Sequence, residues 1–270
     1  QSWIEDPFNL PEKMYEIFRD YLKRLSTRKD EIVFIDVGAA EGAYSCSVIE
    51  HFKKFNISIY EPDLPRLKVC CENLQTYYKK YQINPHDTQV DIYEHVVSDG
   101  KNKTETLRHF TAHATGGHAG SSRMFKAEKL DRFGLILKEK EPHKFWTDLE
   151  FEAVKLDDLI NSYKDVDLIK IDVEGAEIKV LEGAKKFIDK FNPVIFIEVH
   201  CAPENGSITL EQVKEVIGDC KSDYHFTLVD EHARDTLCPY TILDPPYTHR
   251  TVFERINFLE YYILQPAGRR

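Results

Sequence analysis

IVFIDVGAAEGAYS, Ile32 to Ser45, is a continuous apolar run that stops at a glycine and passes into a helical pattern reaching about Lys54. The apolar run is what a parallel strand buried on both faces requires. A strand, a glycine turn and a helix opening at the strand's carboxyl end make the ligand-binding corner of a doubly wound sheet. The spacing is Asp-x-Gly-x-x-x-Gly, with Asp36, Gly38 and Gly42. Gly38 permits a sharp turn and close approach of a ligand, and Gly42 lets the helix start lie near it. The dinucleotide fingerprint Gly-x-Gly-x-x-Gly is missing, because Ala40 takes the place of its middle glycine. Asp36 and Glu41 also add negative charge, which suits a cationic ligand better than a pyrophosphate.

The same alternation extends outward. Upstream, Pro11 to Leu25 carries Met14, Ile17, Phe18, Tyr21, Leu22 and Leu25 at helical spacing. Downstream, ISIYEP (Ile57 to Pro62) predicts a second strand, Leu64 to Tyr81 a long helix, and DIYEHVV (Asp91 to Val97) a third strand. Glu105 to Thr111 alternates as a strand does, and His113 to Met124 is a Gly/Ser/His-rich loop. Phe151 to Leu156 predicts another strand before a short helix from Asp157. The regular pattern then resumes with strand Asp167 to Asp172, helix Ala176 to Lys190 and strand Pro193 to Val199. A helix over Leu210 to Ile217 and strands over Phe226 to Asp230 and Phe258 to Leu264 complete it. The expected architecture is α/β, with a doubly wound, mostly parallel sheet and helices on both faces. Residues 1–30 form a helical lead-in, and 31–270 one domain with an inserted substrate loop near 112–148.

Composition agrees with one large folded domain. The chain has 270 residues, 42% of them hydrophobic and 30% charged, which excludes a disordered or low-complexity chain. No stretch approaches the roughly 18 apolar residues of a membrane span. The net charge of −10 argues against general binding of nucleic-acid backbones. None of the six cysteines forms a C-x-x-C pair, so they read as thiols in a reducing, cytoplasmic setting. The sequons at Asn56, Asn102 and Asn205 are of a kind that arises by chance. The chain starts at Gln1 rather than Met, as a processed protein or a domain of a longer, multidomain chain does.

Three signals carry chemistry. The first is the glycine turn with Asp36, whose carboxylate can meet an ammonium. The second is Glu61, at the end of the next strand, where an acid accepts two hydrogen bonds from a ribose diol. An ammonium near Asp36, a ribose on Glu61 and no phosphate sites together fit S-adenosylmethionine. The third is IDVEGAE (Ile171 to Glu177) with FIEVH (Phe196 to His200). These put Asp172, Glu174, Glu198 and His200 at the carboxyl ends of two parallel strands, the edge where such sheets bind ligands. Acids there serve as bases, substrate clamps or metal ligands. Asp172, His200 and Glu174 are the candidate catalytic groups, with Glu174 and Glu198 able to orient acceptor hydroxyls. If a divalent cation takes part, Asp172, Glu174 and Glu198 are its candidate ligands. Glu177 reads as a helix-start residue.

IDVGAAEGAYS, YEPD, VKLDDLI (Val154 to Ile160), IKIDVEGAEIKVLEGA and PVIFIEVH resemble, in family order, the FkbM family of S-adenosylmethionine-dependent methyltransferases. The resemblance runs from about Ile32 to His200. It implies a seven-stranded Rossmann-like sheet of the class I methyltransferases and O-methylation of a sugar, glycan or related polyhydroxylated metabolite. It implies cofactor contacts at Asp36, Gly38, Gly42 and Glu61, with Ala39, Tyr44, Ser45 and Pro62 beside them in the same motifs. Ser98, in VVSDG, would flank the adenine, and Asp172 would close the cofactor site. The family motif has Asn where Ala40 stands, so one polar contact is missing.

His118, Ser121, Ser122 and Arg123, with His113 nearby, fall in the inserted loop, where they would hydrogen-bond acceptor hydroxyls. DPPY (Asp244 to Tyr247) resembles a motif of DNA amino-methyltransferases, but IDVEGAE already holds the strand end that motif would need. N-methylation of an amine or nucleobase and a non-catalytic cofactor-binding module are the alternatives.

Overall fold

The computed structural model describes residues 13–110, 146–200, 210–220, 224–230 and 259–266. The elements run α1 (Lys13–Ser26), β1 (Glu31–Val37), α2 (Ala43–His51), β2 (Lys54–Tyr60), α3 (Leu64–Lys80), β3 (Thr88–Tyr93), β4 (Val96–Val97), β5 (Thr104–Phe110) and β6 (Trp146–Val154). After a 3-10 turn at Leu156–Ser162 come β7 (Leu168–Ile171), α4 (Glu177–Glu182), α5 (Lys185–Phe191), β8 (Val194–His200), α6 (Leu210–Gly218), β9 (Tyr224–Asp230) and β10 (Leu259–Pro266).

Seven strands form one sheet in the order β3-β2-β1-β7-β8-β10-β9. Pairing is parallel from β3 through β8, and β10 runs antiparallel to both its neighbours. This is the mostly parallel, doubly wound sheet expected from the alternation. Strand periodicity sorts the side chains into two cores. Ile32 and Phe34 of β1 join Ile57, Phe196, Phe18 and Leu67 on the face covered by α1, α2 and α3. Ile35 and Val37 join Ile169, Ile171, Ile195, Phe187 and Val213 on the face covered by α4, α5 and α6. A doubly covered sheet leaves its strand ends as the place where polar groups can gather.

Several boundaries differ from the sequence reading. The helix after the glycine turn ends at His51 rather than near Lys54, because Phe52 turns extended and β2 already begins at Lys54. The single strand expected over Asp91 to Val97 is two. β3 stops at Tyr93, and Val96–Val97 pairs with Ala153–Val154 in a second sheet of order β4-β6-β5. The expected strand from Phe151 starts at Trp146. The helix expected over Ala176 to Lys190 breaks between Glu182 and Lys185. Gly183 at that break lies against the Ser98 carbonyl, and a Cβ there would collide with it. A continuous helix carrying side chains would hold the second sheet away.

Candidate active site

Gly38 (φ +75°) and Gly42 (φ +82°) both take the left-handed conformation that glycine adopts without strain. Their reasons differ from ligand approach. A Cβ on Gly38 would run into the Asp172 carbonyl, and one on Gly42 would lie 2.5 Å from Cys70 Sγ of α3. The glycines let the turn sit against β7 and α3. Gly38 lines the cleft below; Gly42 is not among its lining residues.

Glu61 follows β2 and is 6% exposed. Its Oε2 accepts the Ala40 N–H at 2.8 Å and its Oε1 the Asp63 N–H at 2.9 Å. The carboxylate is thus clamped between the two turns, with lone pairs left on both oxygens. Burial pushes its pKa up from the ordinary 4.5, against those two hydrogen bonds. Glu61 opens onto a cleft lined by Val37, Gly38, Ala40, Pro62, Val96 and Val97, with Asp172 and Glu174 on the opposite lip. Arg66, His95, Leu107 and Val173 also line it.

Beneath the turn lies a buried charge cluster. Asp36 and Lys170 are neighbours in the register of β1 and β7, so their side chains share one face of the sheet. Both are buried, at 0% and 4% exposure. Lys170 Nζ lies 3.6 Å from Asp36 Oδ1 and 3.4 Å from Asp172 Oδ2, and donates to the Gly38 carbonyl at 2.5 Å. Asp36 Oδ2 accepts from the Ser45 hydroxyl at 2.7 Å. Burial alone would lower the Lys170 ammonium; Asp172 and Asp36, with Glu198 and Glu61 behind them, outweigh it and hold the ammonium above the ordinary 10.5. The Tyr44 ring lies 5.1 Å from the ammonium.

Residues 36–226 match the Methyltransferase FkbM domain. The chain belongs to the FkbM methyltransferase family. Its seven-stranded, mostly parallel sheet is the Rossmann-like sheet expected of that family. Among solved structures, an FkbM methyltransferase from Methylobacillus flagellatus is similar at 18% identity and a TM-score of 0.47, covering 86% of this chain and 44% of that one. The chain thus spans less than half the length of that protein. A precorrin-6y C5,15-methyltransferase from Geobacter metallireducens is similar at 13% identity and a TM-score of 0.42, covering 92% and 86%. No curated protein matches.

The FkbM cleft fits the cofactor's nucleoside. Glu61, held by two backbone N–H groups, can accept a ribose diol, and Val37, Val96, Val97 and Leu107 offer an apolar wall to a base. Gly38 and Pro62 line the same space. Asp36 does not: it is sealed beneath the turn, and the ammonium beside it belongs to Lys170. Ala39 is buried with its N–H directed to Tyr60 O, Ser45 is spent on Asp36, and Tyr44 packs edge-on to Phe18 and Tyr15 in the core. Ser98 is also buried, donating to Glu105 Oε1 at 2.7 Å, while Lys179 holds the other Glu105 oxygen.

Of the expected catalytic set, Asp172 and Glu174 line the FkbM cleft. Glu174 sits at φ +52° in the turn before Gly175, and Glu177 caps that turn by accepting the Gly175 N–H. Glu198 is half-buried on β8 and is not among the lining residues. His200 is the last residue of β8, paired with Leu259; its side chain lies outside the described residues. Among the described residues no three His, Cys, Asp or Glu side chains are grouped to hold a metal, so Asp172, Glu174 and Glu198 do not fit a cation site. His113, His118, Ser121, Ser122, Arg123 and the DPPY segment lie outside the described residues. Lys170 and His95 escaped the sequence reading. A single charge inside the apolar run DLIKID was the available signal for Lys170.

Proposed function

We propose that this domain transfers a methyl group to a hydroxyl of a sugar, glycan or related polyhydroxylated metabolite. The observation that carries the reading is Asp172, whose carboxylate is 30% exposed at the lip of the cleft that Glu61 anchors. The bound cofactor supplies an already activated methyl group, so the chain's task is alignment and removal of a proton. Asp172 accepts a hydrogen bond from the acceptor hydroxyl, aims its oxygen into the cleft and takes its proton as the new O–C bond replaces the S–CH3 bond, with S-adenosylhomocysteine as the leaving thioether. Glu174, on the same lip, orients a neighbouring hydroxyl. His200 is the second candidate base, and His118, Ser121, Ser122 and Arg123 are assigned to the acceptor. Acid groups on the lip and the chain's net charge of −10 disfavour a polyphosphate acceptor such as nucleic acid. We place the reaction in the cytoplasm. That setting is supported by the free thiols of Cys46 and Cys70, which burial pushes up and keeps inert.

Calorimetric titration with S-adenosylhomocysteine, NAD as the control, comes first. Binding of S-adenosylhomocysteine alone, weakened about tenfold or more in Glu61→Ala, is the expected result. Labelled cofactor is then offered with sugars, simple amines and oligonucleotides. Label in sugars supports the proposal; label confined to amines or oligonucleotides replaces it with N-methylation. Cofactor binding with no transfer to any acceptor points to a binding module.

A further inference from the structure

Lys170 is a buried charge in an otherwise apolar strand. Its neighbours Ile169 and Ile171 face the opposite core, so its side chain does not join theirs. The ammonium instead meets three acceptors on three segments: the Gly38 carbonyl of the glycine turn, Asp36 of β1 and Asp172 at the end of β7. The carbonyl takes a direct hydrogen bond, and the two carboxylates stand at 3.6 and 3.4 Å as ion-pair partners. The Tyr44 ring lies 5.1 Å from it, and the side chain is buried. A counter-ion for Asp36 alone would not need the other two contacts. Asp172 is different from Asp36, because it is part-exposed and free to turn toward solvent unless something draws it inward.

We infer that Lys170 is a positioning residue, drawing the Asp172 carboxylate inward and tying it to the glycine turn that floors the cofactor cleft. The inference rests on the reading of Asp172 as the group that faces the acceptor. It joins the cofactor turn and the proton-accepting group through one side chain, so that the two are held at a constant separation. A shift of about 1 Å in a reacting group is enough to cost roughly a hundredfold in rate.

The test separates positioning from simple neutralisation of Asp36. Lys170→Met alone strands a buried carboxylate and is expected to fold poorly. The double variant Lys170→Met with Asp36→Asn removes both charges. It should melt near the wild type and bind S-adenosylhomocysteine within about threefold. Its kcat should fall about a hundredfold, and a crystal structure with S-adenosylhomocysteine should show Asp172 displaced by about 1 Å or more. If kcat returns with stability, or Asp172 has not moved, Lys170 is only a counter-ion and the inference is overturned. Should the double variant not fold, Lys170→Arg replaces it. Arg keeps the charge, but its planar fork cannot match the same three acceptors, so Asp172 should again be displaced and kcat low. Absence of wild-type transfer to every hydroxyl acceptor would instead defeat the proposed reaction, while the position of Asp172 in the crystals still decides the role of Lys170.

Discussion

Ala40 has φ +49°, a conformation that costs a residue with a Cβ about 1 kcal/mol and that Asn tolerates. The backbone therefore explains why an Asn belongs at this place in the family motif, apart from any polar contact it makes. Ala40→Asn should raise stability by up to about 1 kcal/mol in urea melts without weakening S-adenosylhomocysteine binding. Glu61 makes a second prediction. Burial raises its pKa above 4.5 in the fold, so the folded chain binds that proton more tightly than the unfolded chain does. The stability this contributes is fully present below 4.5 and is lost as pH rises through the folded value. Urea midpoints from about pH 4 to about pH 8 should therefore fall more steeply in wild type than in Glu61→Gln. The slope is the readout, since Gln also disturbs the two backbone hydrogen bonds.

At the scale of elements, Gly183 and Gly218 form a natural comparison. A Cβ at Gly183 meets the Ser98 carbonyl, whereas one at Gly218 meets nothing within 4 Å among the described residues. Gly183→Ala should cost about 1–3 kcal/mol by overpacking, and Gly218→Ala should gain about 0.4–1 kcal/mol by restricting the unfolded chain. Denaturant melts of the two variants check both signs. The same pair shows what was legible beforehand. Strands β1, β2, β7 and β8 were readable because their apolar runs encode burial locally. The break at Gly183 was not, because its cause is a carbonyl some eighty-five residues away in sequence. Likewise the bend after Tyr93 depends on pairing with Ala153 and Val154. In the site, Glu61 and Asp172 were legible from their strand-end positions. The sealing of Asp36 was not, because it depends on Lys170 from a strand far along the chain.

For the whole molecule, the second sheet is fastened to α4 through Glu105, which accepts from Ser98 at 2.7 Å and from Lys179 of that helix at 2.9 Å. It carries Val96, Val97 and Leu107 into the cleft wall. This sheet also holds the two ends from which residues 111–145 depart and return. Replacing 112–144 by a short Gly/Ser turn should leave S-adenosylhomocysteine affinity within about threefold and abolish transfer to the acceptor, if that segment carries the acceptor contacts assigned to it. Equal loss of both in calorimetry and in the transfer assay would place the segment in the cofactor site instead.

Phe110 and Trp146 are paired across the antiparallel ladder of β5 and β6. The two ends that flank residues 111–145 are therefore anchored on one rung of the ladder, like a socket with both leads side by side. Closing a loop costs only about 0.6 kcal/mol more for each doubling of its length. Whatever is spliced into that socket can lengthen, shorten or change character while the sheets, the glycine turn and Glu61 keep their places. If the acceptor contacts lie in that segment, as proposed, a lineage built on this plan can exchange one acceptor for another by rewriting it, leaving its cofactor chemistry intact.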